Sequence, residues 1–141
     1  MTHAAQSKIT ARHLARSACV YVRRAVWPAD ESTAAQYALR HRAVALGWRS
    51  ERIVVIDSDL GHAGTSTRDR AGFRRLVAEI TRGRVGLLLA LEVSRLTRAL
   101  GDWERLVKLC ARTDTLIWLD GAVHDADELG ALLGLAPEHR A

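Results

Sequence analysis

Four short apolar runs, Cys19 to Arg23, Arg52 to Ile56, Leu87 to Leu91 and Thr115 to Leu119, constrain the fold of this chain more than any other feature. The last three are rich in Ile, Leu or Val without polar alternation. That is the pattern of strands covered on both faces, and such strands are parallel. Helical periodicities lie between them. Thr33 to Leu46 carries Ala35, Leu39, Val44 and Leu46 behind a Ser32 or Thr33 cap, with Gly47 as a stop signal. Phe73, Leu76, Val77 and Ile80 mark a second apolar face ending at Gly83, and Trp103, Leu106, Val107 and Cys110 mark a third. Alternating strands and helices predict an α/β fold, an open and mainly parallel four-stranded sheet with helices on both faces. In such a sheet the crevice outside the carboxyl ends of the strands takes the ligand. Three loops arrive there: the one after Arg23, the one from Asp57 to Arg70, and the one holding Ser94 to Arg98.

A length of 141 residues with 48% apolar composition fits one domain with a single sizeable core. Residues 1–17 read as a frayed or partly helical arm, 18–128 as the domain, and 129–141 as the start of a helix or a tail. Cys19 and Cys110 stand in apolar stretches without metal-ligand spacing, so they read as reduced core residues of an intracellular protein. The apolar run from Val85 to Leu91 is far short of the roughly 20 residues a membrane span needs, and no signal-length segment follows the basic N-terminal residues. A cytoplasmic location without membrane contact is the expectation. Twenty-one Lys plus Arg, nearly all arginine, against 16 Asp plus Glu give a net charge of +5, which favours a polyanionic partner such as nucleic acid.

The arginines at the predicted carboxyl edge carry the sharpest chemistry. Arg95 and Arg98 follow a buried strand, where two guanidinium groups need a phosphate or a carboxylate partner. Glu92 or Asp102 is the structural alternative. Arg23 ends the first run. Arg68 and Arg70 stand just before a helix start, a position that suits an anion better than a cation, so a phosphate held by side chains and amides together accounts for them; a solvated turn is the alternative. The loop from Asp57 to Thr67 has glycines and hydroxyls able to wrap a backbone phosphate, but lacks the glycine spacing of nucleotide-binding loops. It also reads as a plain surface loop. Asp57 and Asp59 lack a third ligand at metal-binding spacing, so no metal and no cofactor is expected. Gln36 could donate to a phosphate, though a helical Gln is more commonly solvated. The histidines show no ligand spacing and read mostly as surface residues. Trp27, Trp48, Trp103 and Trp118 read as core or interface anchors rather than base-stacking platforms.

Together these motifs resemble the N-terminal catalytic domain of serine site-specific recombinases, the resolvase and invertase family and its large relatives, from about Cys19 to Asp127. Tyr21-Val22-Arg23 is similar to the family's first-strand signature, and Glu31, Ser32 and Gln36 to its following helix start. Asp57, Asp59, Leu60, Gly61 and Gly64, then Arg70, Gly72 and Phe73, are similar to its central loop and second helix. Leu91 to Arg98 with Asp102 and Trp103 is the most specific match, and Asp120-Gly121 with Asp125 is similar to the last loop. The resemblance implies a serine that attacks a DNA phosphodiester, links covalently to the 5′ phosphate and frees a 3′ hydroxyl, followed by strand exchange in a tetramer. It further implies that Arg23, Gln36, Arg70, Arg95 and Arg98 surround the scissile phosphate, while Asp57 or Asp59 orients these groups or assists proton transfer.

Two departures bear on mechanism. The family's nucleophilic serine, two residues after the strand arginine, matches Ala25, whose methyl group cannot attack phosphorus. A second family serine, in the central loop, matches Ala63. Ser58, Thr65, Ser66 and Thr67 are substitutes only if their loop folds back onto Arg23. The long dimerising helix and helix-turn-helix domain of resolvases are not expected after Leu133. The expectation is therefore a resolvase-like domain, inactive in strand cleavage as it stands. Its expected partners are DNA, bound weakly and without sequence preference, and another copy of itself or an intact serine recombinase. A fragment of a functional recombinase and a non-enzymatic interaction domain are the alternatives. Leu129, Leu132, Leu133 and Leu135 read as an exposed face for such association, or equally as a short helix packed on its own sheet.

Overall fold

The computed structural model describes residues 8–22, 32–57, 71–91, 100–119, 121–132 and 134. Within these, helix α1 (Ala11–Leu14) leads into strand β1 (Ser17–Tyr21), followed by α2 (Ser32–Tyr37), α3 (Leu39–Leu46) and β2 (Ile53–Ile56). Helix α4 (Ala71–Thr81), β3 (Val85–Leu89), α5 (Leu100–Thr113), β4 (Leu116–Leu119), β5 (Ala122–His124) and α6 (Ala126–Leu132) complete the order. The sheet runs β2-β1-β3-β4-β5. The pairs β1–β2, β1–β3 and β3–β4 are parallel. The four apolar runs thus form adjacent parallel strands, as their composition predicts.

The sheet has five strands rather than the four expected. Strand β5 pairs antiparallel with β4, Leu119 opposite Ala122 and Ile117 opposite His124. It is a three-residue edge strand, and Gly121 before it adopts φ +88°, a left-handed conformation suited to the turn. The single helix expected from Thr33 to Leu46 is two, broken at Ala38.

Pleat alternation sorts the core into two layers. Cys19, Tyr21, Ile56, Leu88, Ile117 and Leu119 face α4, α5 and α6, meeting Phe73, Leu76, Ile80, Trp103, Val107 and Cys110. Ala18, Val20, Leu87, Leu89, Leu116 and Trp118 face the other way, meeting Leu39, Ala43 and Leu46 of α3, with Ile9 and Leu14 at the margin. Helices therefore cover both faces. Both cysteines are free and buried, and Trp48, Trp103 and Trp118 are core residues, as expected; Trp27 lies outside the described residues. Leu129 packs against the α4–α5 layer, which favours the packed reading of α6. The side chains of Leu132, Leu133 and Leu135 lie outside the described residues.

The segment ahead of β1 is bonded at many points. Thr10 caps α1 in a reciprocal box with His13, whose Nδ1 accepts from the Thr10 amide at 2.9 Å. That bond leaves the ring proton on Nε2, which donates to Asp114 Oδ1 at 3.2 Å. Arg16 donates to the carbonyls of Val85, Thr113 and Asp114 at 3.0, 2.9 and 2.7 Å. The indole of Trp48 donates to the Arg16 carbonyl at 3.0 Å, and Arg52 donates to that of Ala15. His13 is only 3% exposed, against the expectation that the histidines are mostly surface residues. Its two ring nitrogens are both partnered, which is what makes the burial tolerable.

Candidate nucleic-acid interface at the carboxyl edge

Parallel strands in register bring their carboxyl ends to one edge. Tyr21 pairs with Ile56, and Val20 with Leu89, so β1, β2 and β3 all finish on the same side of the sheet. In sequence, Arg23 follows β1 by two residues, the segment from Asp57 follows β2, and Glu92 to Arg98 follows β3. Helix α4 starts at this edge as well, since the Phe73 ring in its first turn meets Tyr21 at the end of β1 edge to face, with centroids 6.0 Å apart and planes at 76°. Arg70 precedes that helix directly in sequence, and Arg98 precedes α5 by two residues.

Two of the expected site residues fall in the described part of the chain, and both are at this edge. Gln36, in the last turn of α2, is fully buried with 0% exposure, which corrects the expectation of a solvated side chain. Asp57 follows β2 directly and is exposed. The Val22 amide donates to the Ile56 carbonyl at 2.9 Å, so Asp57 stands level with the residues that lead into Arg23. Arg23, Ala25, Asp59, Arg68, Arg70, Arg95 and Arg98 lie outside the described residues. Of the carboxylates considered as partners for Arg95 and Arg98, Asp102 accepts from Arg105 at 2.8 Å, and Glu92 lies outside the described residues.

One residue at this edge was not anticipated from the sequence. Tyr37, next to Gln36, donates its phenol proton to Asp57 Oδ2 at 2.6 Å. The bond to the carboxylate, with some burial and the Asp57 charge, holds the Tyr37 phenol above its ordinary value of 10.0. Asp57 Oδ1 has no hydrogen-bond partner among the described residues. A tyrosine beside a helical glutamine carries no motif of its own; only the nearness of α2 to the end of β2 exposes the pair.

No group of three or more His, Cys, Asp or Glu among the described residues is placed to hold a metal ion. No described helix is long and apolar enough to cross a membrane. A groove of about 550 Å³ lies between α4 and α5, lined by Phe73, Val77, Leu106 and Leu109 together with the charged Asp102, Arg105, Lys108 and Arg112.

Comparison with known proteins agrees with this geometry. The family described as Resolvase, N terminal domain, matches residues 18–132. The chain is 52% identical over 122 residues to "Uncharacterized protein y4bA/y4pH" of Sinorhizobium fredii (strain NBRC 101917 / NGR234). That match covers 84% of this chain but 18% of the relative, so the chain spans less than a fifth of the relative's length. The fold is similar to that of the crystal structure of the N-terminal catalytic domain of TP901-1 integrase, with a TM-score of 0.63 at 18% identity, over 84% of this chain and 88% of that one. The mainly parallel sheet and the match over residues 18–132 agree: the chain belongs to the resolvase N-terminal domain family of serine recombinases.

Proposed function

We propose that this domain serves DNA recombination by gripping a backbone phosphate at the carboxyl edge of its sheet, and that it does not cleave the strand. Arg23, Arg68, Arg70, Arg95 and Arg98 supply the guanidinium groups, with Gln36 beside them and Asp57 or Asp59 orienting them. The observation that carries the reading is the common edge at which β1, β2 and β3 end, because each of the three chain segments that follow bears arginines of this set. Planar forks converging on one phosphate neutralise the charge that builds up on a pentavalent phosphorus. Cleavage needs a hydroxyl two residues after Arg23, and the residue there is Ala25. No metal or cofactor takes part in this scheme.

Binding to a phosphate backbone releases counterions, so affinity for a short duplex of arbitrary sequence falls steeply as salt rises. The test is a fluorescence anisotropy titration at several salt concentrations with the protein and with R95A/R98A. The variant should bind more weakly, with a log–log salt slope shallower by about 1 to 2, near 0.9 for each phosphate that is no longer neutralised. An unchanged dissociation constant at low salt removes these arginines from the site.

The relative's much greater length supports a second reading, in which the same fold acts as one module of a larger recombination protein. Association with a second copy or with an intact serine recombinase belongs to that reading. Sedimentation across concentration, with and without a recombinase from the same cell, tests it; a strictly monomeric protein that ignores the recombinase ends it.

A further inference from the structure

The contact between Tyr37 and Asp57 ties together two parts of the phosphate site that the sequence leaves unconnected. Tyr37 is the last residue of α2, whose preceding residue, Gln36, is fully buried. Asp57 is the first residue beyond β2, level with the segment leading to Arg23. The 2.6 Å bond between them is a charge-assisted hydrogen bond, the stronger and more directional kind. It does two things at once. It pins the end of α2, and so Gln36, against the carboxyl end of β2. It also fixes one oxygen of an exposed carboxylate whose other oxygen has no hydrogen-bond partner among the described residues. A free carboxylate at an anion site repels the anion and competes for its arginines; one held by a phenol has a set direction.

We propose that Tyr37 is a positioning residue of the phosphate site, holding α2 with Gln36 and the Asp57 carboxylate in the arrangement that admits a DNA phosphate. This rests on the phosphate reading given above. The Tyr37 phenol contacts neither the phosphate nor one of the phosphate-binding arginines in this scheme, and Arg40 donates only to the Tyr37 carbonyl, so losing the hydroxyl changes affinity while every phosphate keeps its partners.

Y37F keeps the ring and its packing and removes only the donor. Duplex affinity should fall about five- to tenfold, the effect of losing one such bond, with an unchanged log–log salt slope. D57A removes the carboxylate as well as the bond, so the readout is the double variant: Y37F/D57A should bind as D57A does, because the Tyr37 hydroxyl acts only through that carboxylate. D57N keeps an oxygen that accepts the phenol proton and should bind at least as well as the unmodified protein. A role in folding alone would lower thermal stability and leave the dissociation constant unchanged well below the melting temperature.

A spectroscopic readout is independent of DNA. The chain has 2 tyrosines, so the tyrosinate absorbance missing from Y37F reports Tyr37 alone. Its titration should lie above that of a free tyrosine and move down in D57A. Salt-dependent binding that is equal in the unmodified protein and Y37F would overturn the positioning role while leaving the phosphate reading intact. Absence of salt-dependent binding by the unmodified protein would overturn the phosphate reading itself.

Discussion

His13 and Asp114, 101 residues apart in sequence, meet at 3.2 Å and fasten the segment ahead of the first strand to the turn that enters β4. Asp114 holds φ +54°, a left-handed conformation uncommon outside glycine, and receives Arg16 on its carbonyl as well as His13 on its carboxylate. Replacing His13 with alanine empties a buried site and strips partners from Thr10 and Asp114. The expected loss is about 2 to 4 kcal/mol of stability, read as a lower urea midpoint. A midpoint equal to that of the unmodified protein would show that the segment is not part of the cooperative unit.

Gly86 makes α1 possible where it is. A Cβ added there would lie 2.1 Å from the His13 carbonyl oxygen, so the segment could not approach β3 so closely. The same place carries a register irregularity, Ser17 opposite Val85 and Ala18 opposite Leu87. G86A should cost about 1 to 3 kcal/mol, with the backbone around His13 forced to shift. Thermal denaturation checks the loss, and hydrogen exchange at residues 10–16 should quicken in the variant.

The two thiols shape alkaline stability. Burial pushes Cys19 and Cys110 up from 9.0 to about 12, with Glu79 adding to the effect at Cys19. Because the folded-state values lie above the unfolded ones, their contribution is complete below about pH 9 and is lost as pH rises toward 12. Stability should therefore fall across that window, and less steeply in C19A/C110A. Urea midpoints at several pH values measure it. At pH 8 neither native thiol should react with a disulfide reagent, whereas both should react after unfolding.

The fold was legible because buried parallel strands leave an unbroken apolar signature, which Val54, Val55, Leu87, Leu88 and Ile117 write plainly. The hairpin to β5 had its own signal in Asp120-Gly121, a favoured two-residue hairpin turn, but Ala122 to His124 is too short to alternate visibly. The break at Ala38 has no Gly or Pro to announce it, so the helical period runs straight through. Gln36 and Asp57 were singled out by motif as candidates, yet the burial of one and the partner of the other were not legible. Those depend on where α2 lands against β2, a tertiary fact that spacing does not encode. His13 is the same case: its partner Asp114 comes from the far side of the chain.

The central claim is that a resolvase-type phosphate site stands here without its attacking hydroxyl, and the most direct measurement is covalent capture. The protein is incubated with duplex DNA fragments from the genome that encodes it, denatured, and run on a gel that separates protein–DNA adducts. The account predicts no adduct with Ala25, and with A25S a protein–5′-phosphate adduct that peptide mapping locates at position 25. An adduct formed by the Ala25 protein, mapped to Ser66 or a neighbouring hydroxyl, would contradict it.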